Sequence, residues 1–185
     1  MIFVKDGGFW KEVGGGGLPP LGEPMEGGFF MGVFPQLDGL YGYVVADKAA
    51  EVNRQWKTGV TASTGTAGTL DGLANSNAMN NAEHPAAQYC RTYAGGGFND
   101  WFLLAYDELR YFFWLSIGPT RLLTPPAFKT GGSQALTGAS LYWSSTEASV
   151  QYGRLLRPED GYSPTVGEAK TSSRPVRPAR RFLIA

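Results

Sequence analysis

Two side chains could carry reactive chemistry here, and each is alone of its kind: His84 and Cys90 are the single histidine and the single cysteine of 185 residues. A catalytic site needs a nucleophile with a base, a metal cluster or a poised carboxylate pair. His84 stands at the start of an expected helix with no motif partner. Cys90 has no second thiol to pair with, and beside Ala86 and Ala87 it is expected to behave as a small buried hydrophobe. The carboxylate pairs Asp107-Glu108 and Glu159-Asp160 are merely adjacent. Gly14-Gly15-Gly16-Gly17 lacks the Lys-Ser/Thr of a phosphate loop. The expectation is a non-enzyme with no cofactor and no metal. What remains is recognition: Gln151, Tyr152, Arg154, Arg157, Asp160, Tyr162 and Glu168 put tyrosine and arginine among small polar neighbours, the chemistry of adaptable contact surfaces. These seven are the candidate ligand-binding residues.

The frame that positions them reads as loop-rich. Charged residues make up 17% of the chain, against 26 glycines and 14% aromatics, which suits a packed but irregular domain better than a helical bundle. Formal net charge is zero, so nothing draws the chain to nucleic acid from a distance. No apolar run reaches 18 residues, so no membrane insertion is expected. The start has no signal-peptide layout, and a lone cysteine points to folding in a reducing cytosol.

Three parts follow from the pattern. In residues 1–13, β-prone runs flank Asp6-Gly7-Gly8, which predicts a hairpin carrying Phe3, Phe9 and Trp10 as an anchor. Residues 14–26 are a Gly/Pro-rich linker. Residues 27–185 form the main domain, opening on strands near 27–34 and 40–46. Residues 57–80 show no periodicity and read as a long loop. Helices are expected over 82–93 and from Tyr106 to about Leu115, the second with Leu109, Phe112, Phe113 and Leu115 on its apolar side. Residues 116–140 read as irregular. Residues 141–147 form a strand and turn, 150–157 and 165–170 a strand pair, and 176–183 a closing strand that meets the first ones. The class is α+β with two helices and short antiparallel sheets.

Three passages resemble a known family. Gly96-Gly97-Phe98-Asn99-Asp100-Trp101-Phe102-Leu103 with Asp107-Glu108-Leu109 is similar to the G-G-F-x-D-W-x-L-P-x-x-x-E-L signature, with Leu104 where the family has proline. Tyr142-Trp143-Ser144-Ser145-Thr146-Glu147 is similar to Y-W-S-S-T-E. Lys170 with Arg174-Pro175-Val176-Arg177-Pro178-Ala179-Arg180-Arg181-Phe182 is similar to the terminal K…V-R-x-V-R-R-F. Together, over about residues 27–185, they resemble the DUF1566 (Lcl C-terminal) group of C-type-lectin-like domains. The opening Val4-Lys5-Asp6-Gly7-Gly8-Phe9-Trp10-Lys11 resembles a hairpin of phage fibre proteins. Asp71-Gly72-Leu73-Ala74-Asn75 and His84-Pro85-Ala86-Ala87-Gln88-Tyr89-Cys90 resemble phage-encoded members.

The resemblance implies a C-type-lectin-like fold on a bacteriophage virion protein of fibre or decoration type, assembled in the host cytoplasm. Phe3, Phe9 and Trp10 would bind other virion proteins. The domain would face a host-surface glycan or protein, or only other virion proteins, or serve variable ligand display. Homo-oligomers, trimers above all, are implied. Calcium-sugar motifs and paired disulfides are absent, as is the cysteine pair of formylglycine-generating relatives. Trp101, Glu108, Trp143, Glu147, Arg177 and Arg180 are the structural signature. Both indoles are expected in the core with their N–H on a carbonyl, Ser144, Ser145 and Thr146 in a local hydrogen-bonded turn, and Glu147 paired with Arg177 or Arg180.

Overall fold

A computed structural model describes residues 3–6, 9–12 and 17–184, the first two stretches as backbone only. Strands β1 (Phe3–Asp6) and β2 (Phe9–Glu12) pair antiparallel as the expected hairpin, with Asp6 opposite Phe9. The side chains of Phe3, Phe9 and Trp10 lie outside the described ones, as do Gly7, Gly8 and residues 13–16. The second half of the expected linker is part of the sheet: β3 (Pro24–Met25) pairs with β4 (Gly28–Gln36), and Gly22 N–H reaches the Phe30 carbonyl at 2.8 Å.

The largest sheet has the order β11-β5-β4-β3. β5 (Gly39–Ala46) lies between two partners, and its residues Gly42 to Ala46 are buried. A bulge between Phe30 and Gly32 bends β4, with Gly32 at φ +122°. The expected closing strand is two strands. β10 (Ser173–Val176) pairs with β6 (Val52–Gln55), and β11 (Ala179–Leu183) pairs with β5. The break falls at Arg177-Pro178, where proline has no N–H for a ladder. β7 (Tyr142–Glu147), β8 (Tyr152–Leu156) and β9 (Glu168–Ala169) form a third antiparallel sheet.

Three α-helices are described where two are expected. α1 (Gly72–Ala78) lies inside the stretch read as loop, capped by the Asp71 side chain accepting from Ala74 N–H at 3.0 Å. Its buried residues include Asn75 and Ser76, which bond the Gly68 carbonyl and the Leu103 backbone. A polar buried face leaves no apolar period to read. α2 (Pro85–Thr92) starts on its proline, three residues later than expected because Pro85 has no N–H to continue a helix from before it, and buries Ala86, Ala87 and Cys90. α3 (Tyr106–Leu109) runs on through Arg110–Ser116 in wider π turns, with Ile117 N–H on the Phe112 carbonyl. Leu109, Phe112 and Phe113 are buried as expected, but Leu115 is half exposed. The wider turn uses more residues per revolution and rotates Leu115 off the apolar face.

These elements enclose a main core of Met31, Tyr43, Val45, Phe102, Phe112, Phe113, Tyr142 and Leu156. A second cluster surrounds Trp56 and Trp143, with Cys90, Leu103, Leu155 and Val176. The architecture is mixed α+β with several antiparallel sheets.

Candidate functional site

Every signature residue but Glu147 is buried, and Glu147 is partly so. Trp101 and Trp143 are both 0% exposed. Trp101 Nε1 donates to the Gly95 carbonyl at 3.2 Å, and Trp143 Nε1 to the Arg54 carbonyl at 3.1 Å. Gly153 fits between Trp56 and Trp143, where a Cβ would come within 3.0 Å of the first and 3.1 Å of the second. Ser144, Ser145 and Thr146 form a buried bulge in β7 and tie it to its surroundings: Ser144 Oγ donates to the Arg154 carbonyl, Ser145 Oγ accepts from Asn75, and Thr146 Oγ1 donates to the Gly68 carbonyl.

Glu108 is fully buried beneath four donors: Tyr43 OH at 2.6 Å, Gln36 Nε2 at 3.0 Å, Ala105 N at 2.8 Å and Gly72 N at 3.0 Å. Burial pushes its carboxyl up to about 7, although Tyr43, the Ala105 and Gly72 N–H groups and Arg181 oppose the rise. The expected pairing of Glu147 with Arg177 or Arg180 is not what the fold makes. Glu147 pairs with buried Lys170, whose ammonium also donates to the Thr61 carbonyl and lies 4.9 Å from the Trp56 ring. Arg177 bonds the carbonyls of Ala46 and Gln134 and the Gln134 side chain. Arg180 pairs with Asp100 and Glu26. Backbone topology decides this: Arg177 and Arg180 flank the step from β10 to β11 and face β5, whereas Glu147 closes β7.

His84 has partners that no motif announces. Lys57 Nζ donates to Ser63 Oγ at 3.2 Å, Ser63 Oγ lies 2.8 Å from His84 Nε2, and His84 Nδ1 lies 2.9 Å from Asn81 Oδ1. The Glu83 N–H on the same Asn81 oxygen fixes that amide. That oxygen can only accept, so His84 Nδ1 carries the hydrogen, Nε2 of the neutral ring is an acceptor, and the Ser63 hydroxyl donates to it. The order serine–histidine–asparagine has the outline of a nucleophile, its base and an orienting group. The electrostatics oppose that use. Burial and the Lys57 charge lower His84 to about 4, far from the range of an effective base at neutral pH. The chain instead pins the exposed 58–68 segment to the core. Burial also pushes the Cys90 thiol up, away from the reactive thiolate.

The seven candidate recognition residues lie in the turn before β8, on β8 and β9, and in the β8–β9 connection, in three groups. Arg157, Asp160 and Tyr162 form a closed knot. Arg157 grips Asp160 with two bonds of 2.9 and 2.5 Å, Asp160 accepts the Tyr162 N–H, and the guanidinium lies 5.0 Å from the Tyr162 ring. Arg157 holds the Asp160 carboxyl down at about 2. Gln151, Tyr152 and Glu168 meet at the β8–β9 end, with Tyr152 opposite Ala169 and Gly153 opposite Glu168. Glu168 is held by Arg174 at 2.6 Å. Arg154 stands apart, over the Tyr106 ring. Both carboxylates are therefore paired within the chain, and the exposed members of the seven are Gln151, Tyr152, Asp160 and Tyr162.

The knot continues onto residues the sequence reading passed over. Gly161, at φ +75°, lies against Trp114 so closely that a Cβ would come within 2.5 Å of the ring. The Arg121 guanidinium lies 4.4 Å from the same ring, and beyond it Leu122 and Leu123 are 88% and 86% exposed. Arg-Leu-Leu between prolines was the signal in the sequence, hidden in a stretch read only as irregular. Among the described residues no group of His, Cys, Asp and Glu is placed to hold a metal, and no helix is long and apolar enough to cross a membrane.

Compared with known protein families, curated proteins and solved structures, the chain matches none.

Proposed function

We propose that this chain is a non-enzymatic bacteriophage virion protein, of fibre or decoration type, that displays a C-type-lectin-like domain for attachment to a host surface. The observation that carries the reading is the division of labour among its residues. Trp101, Glu108, Trp143, Glu147, Arg177 and Arg180 are the residues of the family resemblance, and all of them are internal or bonded between distant segments. A scaffold built that way leaves recognition to its loops. Tyr152, Tyr162 and Gln151 present exposed aromatic and amide groups on a braced edge. The hairpin of β1 and β2 supports an anchoring role for Phe3, Phe9 and Trp10 on other virion proteins. Weak single contacts on a glycan or protein would gain strength from many copies. Assembly in the host cytoplasm and a trimeric state belong to the same reading.

The exposed Leu122 and Leu123 favour a second reading, a cement or decoration protein that touches only other virion proteins. Adsorption competition separates the two. The purified chain is expected to bind host cells and slow infection, and the Tyr152→Ala/Tyr162→Ala pair to lose both effects. A chain that binds no cells and leaves infection unchanged removes the receptor reading. Electron microscopy of the particle with no copy on its surface removes both.

A further inference from the structure

We propose that copies of this chain dock head to tail, the Leu122-Leu123 loop of one copy seating against the Leu37–Leu70 groove of the next. The two features lie at opposite ends of one rigid unit. The start of α3 lies beside the turn of the β4–β5 hairpin, where Glu108 bonds Gln36. The end of its π continuation lies beside the middle of β4, where Ser116 Oγ donates to the Met31 carbonyl. Leu37 is at the first end, on the hairpin turn, fully exposed. Leu122 and Leu123 are at the second, just beyond Ser116.

Each end has a built form. The leucine loop is closed by Arg121 N–H on the Gly118 carbonyl, Thr124 N–H on the Arg121 carbonyl and Thr124 Oγ1 on the Gly118 carbonyl. It therefore holds two adjacent leucines out in water without freedom to fold them back. Single exposed leucines are ordinary on a protein surface; a braced pair of neighbours is not. The opposite end is a groove of about 430 Å³ lined by Pro35, Gln36, Leu37, Asp38, Leu70 and Asp71. Gln36 Nε2 donates to the Leu70 carbonyl at 2.8 Å and joins its two walls.

Charge selects the occupant. The groove's lining carries two carboxylates: Asp71, paired with Arg181 at 3.2 Å, and the exposed Asp38, which accepts from the Tyr41 hydroxyl and has no cation partner among the described residues. The leucine loop sits beside Arg121 and Arg110, both over the Trp114 ring and neither with a carboxylate partner among the described residues. A basic apolar loop and an acidic apolar groove on the same chain are complementary to each other, and neither is complementary to itself. Such a contact is heterologous: repeated, it closes into a ring or grows into a filament. Trp114 joins the loop to the 151–168 edge through Gly161, but the contact uses other side chains, so the leucine variants test it with Tyr152 and Tyr162 unchanged.

Sedimentation of the full chain tests it. The wild type is expected to associate with rising concentration, and less so at high salt because the attraction of Arg110 and Arg121 for Asp38 is screened. Leu122→Asp/Leu123→Asp and Leu37→Asp should each be monomeric at concentrations where the wild type assembles. All three leucines are exposed, so thermal unfolding should be unchanged. Mixing the two variants should restore one contact, because each keeps the surface the other lost, and give a one-to-one dimer that grows no further. A monomeric wild type, a single variant that assembles like the wild type, or a mixture that stays monomeric would each overturn the proposal.

Discussion

Arg177 and Arg157 lie twenty residues apart and do opposite things. Arg177 is buried, with its guanidinium committed to the Ala46 and Gln134 carbonyls and the Gln134 side chain. Arg157 is at the surface, bound to Asp160 and resting near Tyr162. The same contrast separates Glu147, locked to Lys170, from Asp160. Inside, every charge must be matched, because an unmatched one costs several kcal/mol. So the buried set fixes how segments distant in sequence meet. Outside, water can replace any partner, so the surface set is free to exchange its contacts. One region specifies the fold, and the other can change without loss of it.

Mutation should expose that asymmetry. Trp143→Ala removes a ring packed against Trp56 and Gly153 and is expected to lower stability by about 3–5 kcal/mol in a denaturant titration. A loss near that of a surface substitution would mean the indole does not organise the second core. Next in size is Lys170→Met, which leaves Glu147 without its cation and is expected to cost ~3 kcal/mol. Lys170→Met combined with Glu147→Leu should recover part of it. If the double variant is as unstable as the sum of the singles, the pair is not the unit described here.

The interior also contains two groups with opposite pH dependence. His84 sits at about 4 against a usual 6.5, so the unfolded chain binds the proton more readily, and its contribution to stability is lost as pH falls from 6.5 toward 4. Glu108 sits at about 7 against a usual 4.5, so the folded chain binds the proton more readily, and stability is gained as pH falls from 7 toward 4.5. Each displacement corresponds to about 3 kcal/mol. Between pH 4.5 and 6.5 the two slopes oppose, and the wild-type unfolding free energy should stay nearly flat. His84→Gln should make stability rise on acidification and Glu108→Gln should make it fall. Parallel profiles in the two variants would refute the assignment. The smallest effect is expected at the surface: Tyr162→Ala should change stability by no more than about 0.5 kcal/mol. A larger loss would place Tyr162 with the scaffold and not with recognition.

The sequence by itself determined the N-terminal hairpin, the strand pair at 28–46, a helix with Pro85 in its first turn and the burial of both signature tryptophans. Each is a local signal: a Gly-Gly turn, alternation of apolar residues, a proline at a helix start, an indole that needs both a core and an acceptor. Only the tertiary structure decided that Glu147 meets Lys170, that Ser63, His84 and Asn81 meet at all, that residues 72–78 are a helix buried on polar side chains, and that Gly161 joins the Arg157–Tyr162 knot to Trp114. These depend on segments that are far apart in the chain. α1 in particular is held by hydrogen bonds to the Leu103 backbone and the 68 loop, and bonds of that kind leave no period in the sequence that forms them.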